Sequence, residues 1–152
     1  MIILVINCGS SSIKYQLLDM KSDEVYDLLA KGIVEKIGLE TGRLQHTVIG
    51  KDKVVKDLPV PDHKVGMKLV LDALTDSEHG VLKSLDDIEA VGHRIVHGGE
   101  FFSSSALVNE DVMKKIEICC DFAPLHNPAH ILGIRAVQHV LPSVPQVVTF
   151  DT

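Results

Sequence analysis

Four short stretches of the chain carry residue types that handle anions. "NCGSSSIK" (7–14) sets an amide, a glycine, three serines and a lysine directly after the apolar run "IILVI". A turn of that kind can aim backbone N–H groups and hydroxyls at phosphate oxygens. Gly9 lets the backbone come close to a ligand. Ser10, Ser11 and Ser12 supply donors, Lys14 supplies charge, and Asn7 offers an oxygen to a metal or its water. "GHRIVHGGE" (92–100) puts Arg94 inside an apolar strand pattern. An unpaired charge is costly there, and a guanidinium can grip a carboxylate or phosphate through two parallel hydrogen bonds. "APLHNPAH" (123–130) sets His126 in a loop at a helix start, suited to an anion. Asp151 follows a final apolar strand, at the end where open α/β sheets place their ligand crevices.

Each stretch also has a plainer reading. Asn, Gly and Ser are ordinary turn formers, so "NCGSSSIK" can be a solvated hairpin turn. Arg94 can sit in a structural ion pair, His126 can be structural, and Asp151 can be a cap or turn residue. His93 and His97 are four apart on a strand, so they would not converge on a metal as they would on a helix; both read as satisfied polar residues. The opening turn is also not a nucleotide-binding P-loop. That motif needs a second glycine before its lysine and leads into a helix. Here Lys14 enters a strand pattern, with Ile13, Tyr15 and Leu17 alternating with Lys14, Gln16 and Leu18.

The elements that must hold these residues follow from periodicity. Residues 2–6 and 13–18 read as adjacent antiparallel strands, with Asn7 to Ser12 as the turn. Further strands are expected around 24–37, 43–49 and 53–58, with Leu44, His46 and Val48 on one face. Pro59 and Pro61 close this β region. Met67, Val70, Leu71 and Leu74 then mark one face of a helix, which "TDSEHG" ends. "IEAVGHRIVHGG" (88–99) reads as a strand running into a glycine loop. Asn109 can cap a helix whose apolar face is Val112, Met113, Ile116, Cys119 and Cys120. Asn127-Pro128 opens a third helix that stops before Pro142. "QVVTF" (146–150) is the last strand. Strands first, then alternating helix and strand, predict an α/β sheet of mixed direction.

Composition bounds the function. The 152 residues suffice for one domain with a real core. A formal charge of −6 without a Lys/Arg run argues against a nucleic-acid surface, although it leaves room for a local basic cleft. No apolar run approaches the roughly 18 residues that span a bilayer, and the short "IILVI" run has no basic segment before it, unlike a signal peptide. Three cysteines, Cys8, Cys119 and Cys120, read as reduced thiols of a cytoplasmic protein.

Taken in order, "NCGSSSIK", "GHRIVHGGE", "APLHNP" and the terminal "FDT" resemble the acetate kinases over essentially the whole chain. The resemblance implies a ribonuclease-H-like domain of the sugar kinase/Hsp70/actin superfamily (actin-like ATPases), whose sheet opens with a β-hairpin phosphate loop. It implies reversible phosphoryl transfer between ATP and acetate, giving ADP and acetyl phosphate with Mg²⁺. By motif, Asn7 is similar to the family's metal-associated asparagine. Ser10, Ser12 and Lys14 match its phosphate-loop positions, and Arg94 the arginine that holds the substrate carboxylate. Val96 and Leu125 match part of the pocket for the acetate methyl, His126 a histidine at the phosphoryl site, and Asp151 the essential aspartate. Acetate is ionised at neutral pH and needs no general base, so Asp151 is expected to organise Mg²⁺ and its water. The family is cytoplasmic and homodimeric at full length. Thr152 falls near the middle of an acetate kinase, so residues 1–152 are expected to be its N-terminal domain, inactive without the C-terminal half. Alternative readings are the same half of a propionate or other short-chain carboxylate kinase, or a non-catalytic phosphate-binding domain.

Overall fold

The structure is a computed structural model that describes residues 1–22, 25–95, 106–109, 113 and 127–150. Its frame is one mixed sheet, and the chain order of its strands explains the shape. β1 (Ile2–Gly9) turns back as β2 (Ser12–Met20), followed by β3 (Tyr26–Glu35), β4 (Gly42–Val48) and β5 (Val54–Leu58), each antiparallel to the one before. Helix α1 (His63–Thr75) then carries the chain to β6 (Ala90–Ile95), parallel to β1. Helix α2 (Asn127–Val140) leads to β8 (Gln146–Phe150), parallel to β6, and the two-residue β7 (Ala106–Leu107) pairs with β8 from outside. The spatial order is β5-β4-β3-β2-β1-β6-β8-β7. This is the mixed α/β sheet expected, opening with a hairpin and carrying helices on its surface.

Period two sets which side of the sheet is dry. Leu4, Ile6 and Cys8 of β1 face the helices with Ile13, Tyr15 and Leu17 of β2 and Val34 and Leu44 beyond. α1 lays Met67, Val70, Leu71 and Leu74 onto them, and α2 adds Ala136 and Val137. The helix stripe read from spacing is thus the buried one. α1 starts where its sequence says it should: Asp62 caps it, its carboxylate accepting the Val65 N–H at 2.9 Å, a contact worth about 1 kcal/mol. α2 ends at Val140, before Pro142. The expected helix after Asn109 falls almost wholly outside the described residues.

The opening hairpin is tighter than expected. Asn7 pairs with Lys14, Cys8 with Ile13 and Gly9 with Ser12, so only Ser10 and Ser11 form the turn. The ladder continues through Asn7 and Gly9 because the alternation continues: Cys8 keeps the inward position after Leu4 and Ile6, and Asn7 faces the other side.

α2 lies unusually close to this hairpin. A Cβ on Gly133 would meet the Cys8 sulfur and lie 3.2 Å from the Cys8 Cβ. Cys8 is buried, and burial pushes its thiol up to about 12. Gly133→Ala should therefore destabilise the fold by about 1–2 kcal/mol in urea titration, although alanine is the better helix former by about 1 kcal/mol. In a Cys8→Ala background the same change should cost less than half as much. An unchanged cost there would show that the two groups do not meet.

Candidate functional site

The side of the sheet away from the helices carries the site. Ile6 pairs with His93 on parallel strands, so Asn7 and Arg94, the next residues, come side by side on the open face. Asn7 also pairs with Lys14 across the hairpin. Lys14, Asn7 and Arg94 therefore form a row across three adjacent strands, about 4.8 Å apart per strand. The row borders a groove of about 490 Å³ that crosses the face as far as Lys31 and Lys53. Its lining holds four cationic side chains, Lys14, Lys31, Lys53 and Arg94, and no carboxylate among the described residues. In a chain of net charge −6 this is a local basic cleft, and its field draws in anions.

Arg94 departs from one expectation. Its apolar neighbours suggested a buried charge, yet the side chain is exposed. Val91 and His93 point into the core and Arg94 points out. His93 takes the buried position, as a satisfied polar residue. Its Nε2–H donates to Gln146 Oε1 at 2.5 Å, and the Gln146 amide donates on to the Ile134 carbonyl at 3.5 Å. Burial, helped by the nearby His130, pushes His93 down to about 4, against the opposing pull of its bond to Gln146.

A second buried polar chain stiffens the sheet behind the groove. Tyr15, Gly32 and His46 pair in register across β2, β3 and β4. The tyrosine ring crosses Gly32, where any Cβ would strike its hydroxyl. The hydroxyl reaches His46 Nδ1 at 2.5 Å, and His46 Nε2 lies 3.0 Å from the His79 carbonyl. The carbonyl can only accept, so His46 carries its proton on Nε2 and accepts from Tyr15 at Nδ1. Sequence reading placed His46 on this face but gave no sign of its partners, because they depend on the absent side chain of Gly32.

Ser10 and Ser11 are exposed at the tip of the hairpin and Ser12 begins β2. The structure thus brings Asn7, Ser10, Ser12, Lys14 and Arg94 to one end of one face. Val96, Leu125, His126 and Asp151 lie outside the described residues, as does His97. As for Mg²⁺, the described residues include no cluster of three metal-ligating side chains. Asn7 alone offers an oxygen beside the phosphate turn, which suits an ion that keeps its waters and is held chiefly by substrate phosphates. The described residues therefore fit no resident metal ion. No helix among the described residues is long and apolar enough to cross a membrane.

Comparison with known proteins gives this geometry a family. The chain is 58% identical over 149 residues to the acetate kinase of Clostridium acetobutylicum, covering 98% of this chain and 36% of that protein. The crystal structure of Porphyromonas gingivalis acetate kinase superposes with a TM-score of 0.95 at 46% identity, over 99% of this chain and 37% of that one. A propionate kinase from Francisella tularensis gives 0.86 at 41% identity, covering 99% and 36%. The chain spans little more than a third of the length of these relatives, and the fold is that of their actin-like ATPase domain. The acetokinase family model matches residues 2–152, and the chain belongs to that family of carboxylate kinases.

Proposed function

We propose that these residues form the N-terminal part of an acetate kinase, little more than a third of its length and not the half expected from sequence, which transfers a phosphoryl group reversibly between ATP and acetate. One observation carries the reading: Lys14, Asn7 and Arg94 stand in a single row at the mouth of a basic groove, beside the serine turn. Phosphoryl transfer needs alignment and charge neutralisation more than covalent help. The Ser10–Ser12 turn and Lys14 would receive ATP phosphates. Arg94 would hold the carboxylate, presenting an oxygen to the transferred phosphorus. Mg²⁺ enters as part of the MgATP substrate and supplies further neutralisation, with Asn7 as the described group placed to touch it or its water. His126 at the phosphoryl group, Asp151 as organiser of the metal, and Val96 and Leu125 against the methyl are proposed on motif alone. So are a homodimeric full-length protein and a cytoplasmic setting. Propionate is the second substrate reading, because the F. tularensis propionate kinase shares the fold closely.

The test joins residues 1–152 to the remainder of the C. acetobutylicum relative and measures acyl phosphate with acetate and with propionate. In that fusion Arg94→Ala should lower kcat/KM for the carboxylate about 10- to 200-fold. That is the loss of one charge-assisted bidentate contact worth roughly 1.5–3 kcal/mol. The KM for ATP should move far less. An unchanged carboxylate dependence would make Arg94 structural, and no ATP-dependent acyl phosphate from the fusion would end the kinase reading.

A further inference from the structure

His63 is a buried histidine that the proposed reaction does not use. It is the first residue of α1, next to the capping Asp62, and only 6% exposed. Its Nε2 lies 2.8 Å from the carbonyl oxygen of Gly9. That oxygen can only accept, so Nε2 carries a proton and donates it. Gly9 is the last residue of β1, directly before the Ser10–Ser11 turn. A second anchor holds the far side of that turn: the Ile37 N–H donates to the Ser11 carbonyl at 2.9 Å. The chain reaches that position through Lys36, whose φ of 59° is the one positive value among described non-glycine residues.

Ser10 and Ser11 therefore lack the positive φ that two-residue hairpin turns favour. The contacts from His63 and Ile37 therefore help to hold the turn's shape. A peptide unit is planar, with its C=O and N–H pointing in opposite directions. Pinning the Gly9 carbonyl towards α1 turns the Ser10 N–H away from α1, towards the side where a ligand can reach it. The Ser12 hydroxyl lies over Gly9, 2.8 Å from where a Cβ would stand.

From this geometry we infer that His63 is a positioning residue of the phosphate turn: by fixing the Gly9–Ser10 peptide it aims the Ser10 N–H at an anion held by the hairpin. The inference rests on the phosphate reading of that turn, and the experiment separates the two. Inorganic tripolyphosphate is titrated into the 152-residue chain while the amide resonances of Ser10, Ser11 and Ser12 are followed by NMR. The unaltered chain should bind with shifts at those amides. His63→Ala should weaken binding at least about fivefold, the scale of one lost hydrogen bond. His63→Gln can place an N–H near the same point and should recover most of the affinity. Asp62→Ala, which removes the α1 cap but leaves His63 in place, should lower stability and leave affinity unchanged. Full affinity in a folded His63→Ala chain overturns the inference while the phosphate turn stands. Equal losses in His63→Ala and Asp62→Ala overturn it too, since the effect would then be one of general stability. If the unaltered chain shows no shift at the three serines, the phosphate reading falls and the inference falls with it.

Discussion

Residues 1–152 alone should form acetyl phosphate at least about 10³-fold more slowly than the same residues joined to the C-terminal remainder of a relative. The reason is geometric. Every described site group comes from one face of one sheet, and Lys14, Ser10 and Arg94 on that face are exposed to solvent. Charge developing on a transferred phosphoryl group is stabilised best by fixed donors in a site from which water is excluded. A groove open on one side leaves the incoming phosphates and carboxylate hydrated and free to turn. The chain also covers only 36% of the C. acetobutylicum relative, so residues the full enzyme uses are to be sought in the remaining length. Removing a single arginine that neutralises the phosphoryl group can itself cost 10³-fold or more. A hydroxamate assay on purified chain and fusion at equal concentration decides the matter. Activity of the chain within tenfold of the fusion would mean that one wall suffices.

Most of the frame was legible because it follows from two periods. The apolar run "IILVI" and the alternation in Ile13–Leu17 indicate the hairpin, and the spacing of Met67, Val70, Leu71 and Leu74 indicates the face of α1. Two details of the structure follow only when those periods are counted strictly. Asn and Gly favour turns, yet Cys8 continues the inward set of Leu4 and Ile6 and draws Asn7 into the ladder, so the turn begins at Ser10 and not at Asn7. The apolar neighbours of Arg94 suggest a buried charge. Counting by twos from Val91 would have put His93 inside and Arg94 outside. The contacts of His63, His46 and His93 had no such signal. Each depends on segments far apart in sequence: α1 against the hairpin tip, a tyrosine crossing a glycine, and β6 against β8. Of the site, the motifs gave Asn7, the serines, Lys14 and Arg94 as candidates. Only the register of β1 with β2 and β6 could put them in one row.

The strand that carries Arg94 should also make the protein sensitive to acid. His93 immediately precedes Arg94 and is 4% exposed, locked to Gln146 on β8. Burial disfavours its imidazolium form and pushes its protonation down to about 4, whereas an unfolded chain takes the proton near 6.5. Above about pH 6.5 the ring is neutral in both states and its contribution to stability is complete. As pH falls from 6.5 towards 4 the unfolded chain binds a proton that the folded chain refuses, so stability falls. Below about 4 both forms are charged and the loss levels off. Between pH 7 and 5 the loss from His93 should be about 2 kcal/mol. His46 adds to it in the same direction, since burial also lowers its affinity for a proton. Asp19, Asp57 and Asp76, lowered by their hydrogen-bond partners, act at more acid pH and leave this window to the histidines. Urea midpoints measured at half-unit steps from pH 7.5 to 5 should therefore decline steadily. In His93→Gln, which keeps a polar group towards β8 but cannot titrate, the decline should shrink by more than half even if stability at pH 7.5 is lower. A decline of equal slope in the variant would place the acid sensitivity elsewhere.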